Sequence, residues 1–273
     1  SPMKSVLVIS SYVAASRVGA TASAFCLRRL GLETLVIPTT ILGRHPGWGE
    51  PGGQALSAEH LRSMWAAINL QGLKIDAVMT GYLAQDAHIE VALDIINRVV
   101  PANPDAIILV DPVMGDNGKL YVPESRAQAI TSRLLPVATI ITPNVWELSY
   151  ITQAECLDFA DILSAASALT PACLVTSVKQ GRSIGAVFID GPAQYYVHHE
   201  EFASVPHGGG DSLAATFLAH LLLGDLRRDA LAKSVASIFA ILSAAVAEDA
   251  GELPLIREQD ALVIAKPLPI DIL

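Results

Sequence analysis

Residues 107–116 read Ile107-Ile-Leu-Val-Asp-Pro-Val-Met-Gly-Asp116 and carry the clearest indication of the fold. Four consecutive apolar residues come first, and the two carboxylates Asp111 and Asp116 follow at once. A short, continuously apolar run predicts a β-strand that is buried on both faces, as in a parallel sheet. Polar side chains directly behind such a strand lie at the carboxyl edge of the sheet, where α/β proteins bind their ligands. The stretch therefore predicts an α/β fold with a ligand site at this edge.

Apolar runs of the same kind alternate with segments of helical spacing along the chain. Strands are predicted over residues 6–9, 35–37, 77–79, 107–110, 139–141 and 173–175, and an antiparallel pair over 184–190 and 194–198. Helices are predicted over residues 19–30, 57–70, 86–99, 124–135, 158–169, 211–223 and 229–248, with a helical stretch through Glu147. This alternation predicts an α/β fold, namely a mostly parallel central sheet covered by helices on both faces, with an antiparallel edge. We expect a single domain over residues 1–273.

Composition excludes several classes of protein. The chain has 18 basic and 27 acidic residues, a net charge of −9, and it has no basic run that would predict a nucleic-acid binder. A hydrophobic fraction of 52% excludes a disordered chain. The most apolar stretch, residues 235–247, is shorter than the ~20 residues that a membrane span needs, so we interpret it as a buried helix. The three cysteines form no Cys-x-x-Cys pair, which predicts reduced core cysteines in a cytoplasmic protein.

Polar side chains follow five of the predicted strands. They are Ser10-Ser11-Tyr12, Thr80-Gly81-Tyr82, Asp111 to Asp116, Thr142-Pro143-Asn144 with Glu147 one turn on, and Thr176-Ser177. Any one of these groups fits a turn or a helix cap. All five together at one edge of the sheet predict a binding site.

Three carboxylates stand out within that set. Asp111, Asp116 and Glu147 lie on neighbouring predicted loops. Hard oxygen ligands of this kind suit Mg²⁺ bound beside nucleotide phosphates. The structural alternative is that Asp111 caps the turn at Pro112 and that Glu147 faces solvent from a helix.

The sharpest local signal is His207-Gly208-Gly209-Gly210-Asp211, which opens an apolar helix. Three glycines allow backbone N–H groups to point toward one place, and the helix N-terminus adds positive potential there. The pattern therefore predicts a phosphate-binding anion hole, although it is neither a Walker A motif nor a dinucleotide fingerprint. Asp211 is then either a plain helix N-cap or the group that accepts a proton from an attacking alcohol.

Residues 45–53 form a glycine- and proline-rich loop around Trp48. The loop is either an ordinary surface connection or a flap that covers a bound ligand. The histidines show no metal-ligand spacing such as His-Glu-x-x-His, so no zinc site is predicted.

In this order, the residues resemble the ribokinase-like superfamily and, within it, the pyridoxal kinases. The resemblance covers nearly the whole chain. The segments that carry it are Ile9-Ser10-Ser11-Tyr12-Val13, Arg28-Arg29-Leu30-Gly31, Gly81-Tyr82-Leu83, Asp111 to Asp116, Tyr121-Val122-Pro123, Ile141 to Glu147, and Gly208 to Asp211. Gly81-Tyr82 and Tyr121-Val122-Pro123 favour the pyridoxal kinase branch.

The resemblance implies a role for each matched position. Ser11 would hydrogen-bond the pyridine nitrogen of the substrate, Tyr82 would pack on its ring, and Gly47 would lie in the substrate loop. The residues expected around ATP are Asp111, Thr142, Asn144, Glu147, Thr176 and Ser177, and those expected around Mg²⁺ are Asp111, Asp116 and Glu147. A monovalent cation, K⁺ or Na⁺, would lie near Thr142 and Thr176. Gly208, Gly209 and Gly210 would form the anion hole, and Asp211 would be the catalytic base in contact with the substrate.

Three positions depart from the family pattern. Tyr12 stands where the family usually has His, and the loop at Pro46-Gly47 lacks the Thr or Gln that often contacts substrate. Both departures fall in the substrate pocket. Gly209 replaces a Thr or Val in the anion hole, which adds backbone freedom at the phosphate site.

The resemblance implies a cytoplasmic, homodimeric enzyme that phosphorylates pyridoxal and related B6 vitamers with ATP. A hydroxymethylpyrimidine kinase of the same superfamily is the alternative within the class, although residues 10–19 lack the glycine cluster of those enzymes. A non-catalytic protein that binds B6 or nucleotide is the alternative from another class. Asp211 discriminates between these readings, because a pure binder would not need it.

Overall fold

The computed structural model describes residues 2–273 as twelve strands and nine α-helices. The strands are β1 (Ser5–Val13), β2 (Glu33–Leu42), β3 (Gln54–Ala55), β4 (Ala77–Thr80), β5 (Ile107–Val110), β6 (Gly115–Asp116), β7 (Lys119–Leu120), β8 (Ile140–Ile141), β9 (Ala172–Gln180), β10 (Ser183–Asp190), β11 (Ala193–Glu200) and β12 (Asp271–Ile272). The helices are α1 (Ala20–Arg29), α2 (Ala58–Leu70), α3 (Ala87–Ala102), α4 (Glu124–Ala129), α5 (Val145–Thr152), α6 (Phe159–Ser167), α7 (Gly209–Leu222), α8 (Arg227–Ala247) and α9 (Ala261–Ile264).

Ten of the strands form one sheet in the order β12-β11-β10-β9-β8-β5-β4-β1-β2-β3. The central strands from β9 to β2 are all parallel. β10, β11 and β12 continue the sheet antiparallel at one edge, and β3 closes the other edge. The predicted fold class is confirmed, with one refinement: the antiparallel pair is not outermost, because the two-residue strand β12 lies beyond it.

Both faces of the sheet are buried, as continuously apolar strands require. Along β1, Leu7 and Ile9 pack in the layer of α2 and α3, while Val6 and Val8 pack in the layer of α1, α7 and α8. This alternation follows from the strand geometry, in which successive side chains point to opposite faces. The helices therefore cover the sheet on both sides.

Helix α8 is longer than the apolar stretch that the sequence analysis singled out. Its 21 residues are apolar enough, with a mean hydropathy of 1.9 over one window, to cross a membrane by length and composition. However, 56% of that window is buried inside the protein, and the helix packs on α7, β10 and β11. The expectation of a buried helix fits this packing. Among residues 2–273, α8 is the helix that meets this test.

The predicted helix over residues 124–135 is interrupted. Regular helix ends at Ala129, a π-helical turn covers Ile130–Leu134, and a 3₁₀ turn covers Leu135–Val137. Pro136 lies in the last of these turns. Proline has no N–H to donate to the carbonyl four residues earlier, which disfavours regular α-helix in the turn before Pro136.

Several short elements were not predicted. They are the edge strand β3, the hairpin of β6 and β7, helix α9 and strand β12. Each has only two to four residues, which is too short to show a period. Cys26 and Cys173 are buried as expected, whereas Cys156 is half-buried and packs against the core from its margin.

The parallel strands deliver their polar residues to one edge of the sheet. The ladder continues one residue past each strand end, with Gly81 donating to the carbonyl of Ile9, Asp111 to that of Thr80, and Thr142 to that of Val110. Asn144 and Thr176 form an isolated parallel bridge one strand further along. Backbone hydrogen bonds therefore hold these side chains in register at the carboxyl edge.

Candidate active site

Three carboxylates meet at the carboxyl edge, on different elements of the fold. Asp111 follows β5, Glu147 lies in α5, and Asp211 lies in the first turn of α7. Desolvation raises the pKa of Asp111 well above its usual range, and the charges of Glu147 and Asp211 raise it further, while the backbone of Val113 opposes the shift. The structure thus concentrates negative charge where the sequence predicted a ligand site.

Glu147 is 2% exposed and does not face solvent, so the structural alternative for this residue is wrong. It forms a capping box with Asn144, whose side chain accepts from the Glu147 amide at 2.7 Å. One carboxylate oxygen accepts from the Asn144 amide at 3.0 Å, and the other accepts from the Met114 amide at 2.7 Å. A longer bond of 3.4 Å from the Gly115 amide reaches that second oxygen. Glu147 therefore fixes the start of α5 and the loop after β5 together.

Asp111 and Glu147 differ in the hydrogen bonds that their carboxylates receive. Desolvation raises the pKa of Glu147 to about 7, against the pull of its three amide donors. Those donors favour the ionised form of Glu147. Asp111 has only the opposing Val113 amide and the field of two neighbouring carboxylates. Hydrogen bonds therefore favour the ionised form of Glu147, whereas burial and the neighbouring carboxylates disfavour the ionised form of Asp111.

Asp116 lies apart from the other two, exposed on the hairpin of β6 and β7. Its carboxylate accepts from the amide of Asn117 at 2.8 Å. Among residues 2–273, no three His, Cys, Asp or Glu side chains come close enough to hold a metal ion by themselves. Asp111, Asp116 and Glu147 therefore do not form a metal site from protein ligands alone.

The residues at the carboxyl edge do fit a cation whose other ligands come from substrate phosphates and water. Mg²⁺ is usually held by one or two carboxylates together with substrate phosphates and water. None of the groups that shift the pKa of Asp111 is a positively charged side chain. In addition, the buried hydroxyl oxygens of Thr80 and Thr142 have no hydrogen-bond partner within the described chain. The edge thus offers acidic and neutral oxygen donors without a protein cation to balance them.

The glycine turn has the backbone geometry that the sequence predicted, but the helix begins earlier than expected. Gly208 is the N-cap of α7, with a left-handed φ of 100°. A Cβ atom there would lie 2.1 Å from the carbonyl oxygen of Arg17, so only glycine fits. Gly209 and Gly210 occupy the first turn and border open space. Their amides belong to the unpaired set at a helix N-terminus, which favours anions.

Asp211 is the third residue of α7 and does not cap it, so the N-cap reading is wrong. Its side chain accepts a hydrogen bond from the amide of Gly19 at 2.9 Å. Desolvation raises the pKa of Asp211, and the Gly19 amide opposes that shift. A carboxylate with a raised pKa beside an anion hole is suited to accept a proton.

Ser11 lies near the carboxyl end of β1, two residues beyond its predicted end, and Tyr82 follows the neighbouring parallel strand β4. Ser11 is buried and Tyr82 is half-buried. Thr39 donates to the Tyr82 carbonyl at 2.7 Å and so fixes the backbone beneath the ring. A hydroxyl group and an aromatic face therefore share this side of the site.

Thr176 and Ser177 line a cavity of about 280 Å³ together with Gly208, Gly209 and Gly210. The remaining walls are mostly apolar or aromatic and include Ile184, His199, Phe202, Leu213, Val235 and Leu242. A cavity with apolar walls and a few polar groups at one end suits a flat heteroaromatic ligand. Thr142 and Asn144 lie on the adjoining strand end, where the Asn144 side chain donates to the Gly115 carbonyl at 3.0 Å.

The loop over residues 45–53 lies beside the glycine turn. The rings of His45 and His207 stack with centroids 4.5 Å apart and an angle of 10°. Trp48 is 55% exposed, and its ring approaches Gly251 so closely that a Cβ there would be 3.0 Å away. Gly47 is exposed at the same loop. The position fits a flap, and the closure itself stays a prediction.

Tyr121 is a site residue whose role the sequence analysis did not identify, although its segment carried the resemblance. The residue is 54% exposed. Desolvation and the nearby charges of Glu147, Asp111, Asp211 and Asp116 raise the pKa of its hydroxyl. This hydroxyl stays protonated and can donate a hydrogen bond into the carboxylate cluster.

The raised pKa of Asp111 predicts a pH-dependent cost in stability. Asp111 holds its proton more tightly in the folded chain than in the unfolded chain, so its ionisation destabilises the fold as pH rises above about 4. Asp111→Asn cannot ionise. We expect it to have the larger free energy of unfolding at pH 8 without divalent cations, by about 1 kcal/mol or more.

The measurement is urea unfolding of both proteins at pH 5 and at pH 8. The difference in free energy of unfolding between Asp111→Asn and the native chain should be smaller at pH 5, where Asp111 of the native chain keeps its proton. Asp105→Asn, at an exposed turn residue before β5, is the matched control and should show no such gain. Equal stability of the native chain and Asp111→Asn at pH 8 would show that folding does not raise the pKa of the Asp111 carboxyl.

Comparisons with known proteins agree with this geometry. Residues 41–255 match the family model described as phosphomethylpyrimidine kinase. The pyridoxal kinase PdxY of Rubrobacter xylanophilus is 33% identical over 273 residues, covering 94% of this chain and 93% of that protein. The pyridoxal kinase PdxY of Corynebacterium diphtheriae is 30% identical over 268 residues, covering 94% of this chain and 95% of that protein.

Solved structures show the same fold over the full length. The pyridoxal kinase of Entamoeba histolytica superposes with a TM-score of 0.91 at 25% identity and covers 100% of both chains. A putative phosphomethylpyrimidine kinase of Bacteroides thetaiotaomicron shares the fold with a TM-score of 0.92 at 21% identity, covering 100% of this chain and 99% of that one. The chain therefore belongs to the phosphomethylpyrimidine kinase family, in which the relatives it resembles are pyridoxal kinases.

Proposed function

We propose that the protein is a pyridoxal kinase, which transfers the γ-phosphoryl group of ATP to the 5′-hydroxymethyl group of pyridoxal and related B6 vitamers. The observation that carries the proposal is the position of Asp211, whose desolvated carboxylate shares the first turn of α7 with the glycine amides. A proton acceptor and an anion hole on one helix end are what an alcohol kinase needs. The relatives named pyridoxal kinase support the choice of substrate.

In this mechanism Asp211 accepts the proton of the substrate hydroxyl as its oxygen attacks the γ-phosphorus of ATP. The new P–O bond forms as the bond from the γ-phosphorus to the bridging oxygen breaks, and ADP leaves. The amides of residues 208–210 stabilise the negative charge on the transferring group, aided by the N-terminal dipole of α7.

The carboxyl edge would hold the cation that accompanies ATP. Asp111 and Asp116 would bind Mg²⁺ together with phosphate oxygens, while Glu147 keeps the loop between them in place through its amide bonds. When bound, the cation neutralises charge on the phosphates. The unpartnered hydroxyl of Thr142 fits a monovalent cation, K⁺ or Na⁺, with Thr176 nearby.

The two ends of the site would bind the two substrates. The cavity at Thr176 and Ser177 would take the adenosine part of ATP, and Asn144 would line its approach. Ser11 would donate a hydrogen bond to the pyridine nitrogen of the vitamer and Tyr82 would stack on its ring. The loop at Gly47 would cover the vitamer. We further propose one kinase domain over residues 1–273, a cytoplasmic location and a homodimer.

A hydroxymethylpyrimidine kinase is the second candidate, because the family model that matches residues 41–255 is described by that class of substrate. The two substrates share a heteroaromatic ring with a hydroxymethyl group. A single incubation separates them: the purified protein is mixed with ATP, Mg²⁺ and a panel of B6 vitamers and hydroxymethylpyrimidine, and products are identified by mass spectrometry. We expect pyridoxal to be phosphorylated fastest. Preferred turnover of the pyrimidine would overturn the substrate, and binding without any product would overturn the enzyme.

Asp211→Asn tests the base. Asparagine keeps an oxygen that can accept from the Gly19 amide, and Asp211 is not the helix cap, so the fold should be retained. Because the amide cannot take the proton, we expect kcat to fall by about 10²-fold or more, with the KM values for ATP and pyridoxal little changed. Asp229→Asn, in the first turn of the neighbouring helix α8, is the control and should be fully active. A kcat above about a tenth of the native value would reduce Asp211 to a structural residue.

Tyr82→Ala tests the aromatic face. A stacked ring contributes about 0.5–1.5 kcal/mol beyond its buried area. We therefore expect the KM for pyridoxal to rise several-fold, while the KM for ATP stays near its native value. Tyr195→Ala removes a half-buried tyrosine from β11, at the far edge of the sheet, and should change neither constant. An unchanged KM for pyridoxal in Tyr82→Ala removes this ring from the substrate pocket.

A further inference from the structure

We propose that Gly19 is a positioning residue, whose backbone amide orients the Asp211 carboxylate for proton transfer and keeps it in its ionised form. The inference rests on the proposed function of Asp211 as the base. It concerns a residue 192 positions away from Asp211 in the chain, which acts through its main chain and carries no side chain at all.

The contact is specific to one oxygen of the carboxylate. The Gly19 N–H donates to Oδ2 of Asp211 at 2.9 Å. Within residues 2–273, no other protein donor hydrogen-bonds this carboxylate. Oδ2 is thus held, and Oδ1 is left to accept a proton. A single fixed donor sets the orientation of the carboxylate without occupying the oxygen that reacts.

The turn that carries Gly19 is itself rigid. Gly19 is the N-cap of α1, and its carbonyl accepts from the amides of Ala22 and Ser23. The hydroxyl of Thr21 donates to the carbonyls of Ser16 and Val18, both at 2.6 Å. The amide that reaches Asp211 is therefore not on a freely moving loop.

Only glycine fits at this position. Its φ of 56° with ψ of −138° lies in a region that L residues rarely adopt. A Cβ atom would lie 2.2 Å from Oγ of Ser11 and 2.7 Å from the Ser11 carbonyl oxygen. Gly19 therefore lies directly between the proposed ring-nitrogen partner, Ser11, and the proposed base, and it can approach both because it has no side chain.

The surroundings of Asp211 show why the amide matters. Desolvation raises the pKa of Asp211. Asp111 lies near enough for the charge of Asp211 to raise the pKa of Asp111 in turn. The Tyr121 hydroxyl and the Cys26 thiol also lie within the field of Asp211, and both stay neutral at physiological pH because their pKa values are raised. The N-terminal dipole of α7 and the Gly19 amide favour the ionised carboxylate. Removing this donor should therefore leave more of the base protonated at neutral pH.

The sharpest test removes the N–H of Gly19 and leaves every side chain in place. Cys26 allows the full chain to be assembled from a synthetic segment 1–25, with glycolic acid in place of Gly19, joined to residues 26–273. The ester oxygen that replaces the N–H cannot donate. The first control is the same joined chain with Gly19 intact. The second control is a joined chain that carries Gly31→Ala in its recombinant part. Gly31 also has a positive φ, of 87°, but it has open space around it.

In the ester-containing chain, we expect the acidic limb of the pH dependence of kcat to move to higher pH by about one unit or more. The reason is that a hydrogen bond to a charged group contributes about 1.5–3 kcal/mol to the stability of the ionised form. The KM for pyridoxal should stay within about twofold, since Ser11 is untouched. A limb that stays in place in the ester-containing chain overturns the inference. The variant Gly19→Ala would disturb Ser11 as well and should change KM and kcat together.

A second measurement needs no assembly and no turnover. In the native chain labelled with ¹⁵N-glycine, the chemical shift of the Gly19 amide should change with pH as Asp211 titrates. The substitution Asp211→Asn should abolish that change. An amide resonance that ignores pH overturns the inference even if the protein is a kinase. Absence of turnover in the unmodified joined chain would count against the proposed function instead.

Discussion

The site depends on one electrostatic constraint: three desolvated carboxylates converge at one edge of a sheet without a cationic side chain to balance them. Charges in such a position destabilise the fold unless hydrogen bonds or a bound ion compensate. Here backbone amides supply much of the compensation. Glu147 receives the amides of Met114, Gly115 and Asn144, and Asp211 receives the amide of Gly19. A cation that is bound together with phosphates can balance the remaining negative charge.

This constraint explains why the surrounding loops are so closely tied to the sheet. The amides that serve the carboxylates come from the loop after β5, the start of α5 and the turn before α1, and each is held by its own hydrogen bonds. Moving any of them would leave a buried acceptor without its donor, at a cost of about 1–3 kcal/mol. The carboxyl edge is thus rigid because its charges require fixed donors. Such rigidity is also what electrostatic stabilisation of a reaction requires.

The sequence predicted the parallel sheet and the residues at its carboxyl edge, because both follow from local patterns: apolar runs that end in polar side chains. It did not predict the register of α7. Gly208 begins that helix because its backbone lies against the carbonyl of Arg17, which is distant in the chain. The bond from Gly19 to Asp211 and the stack of His45 on His207 were missed for the same reason. Contacts between distant loops leave no period and no spacing in the sequence.

A separation of the two proposed sets of groups within the site would account for a family that is described by one substrate while relatives of this chain are named for another. The groups assigned to phosphoryl transfer lie on β5, α5 and α7, in the rigid network of carboxylates and amides. The groups assigned to the acceptor substrate lie on the ends of β1 and β4 and on the loop over residues 45–53. Tyr12 and Gly47, two of the positions where this chain departs from the pyridoxal kinase pattern, both fall in the second set. We expect changes there to alter which ring is accepted and to leave the constraint on the carboxylates intact, so that the reaction persists while the substrate changes.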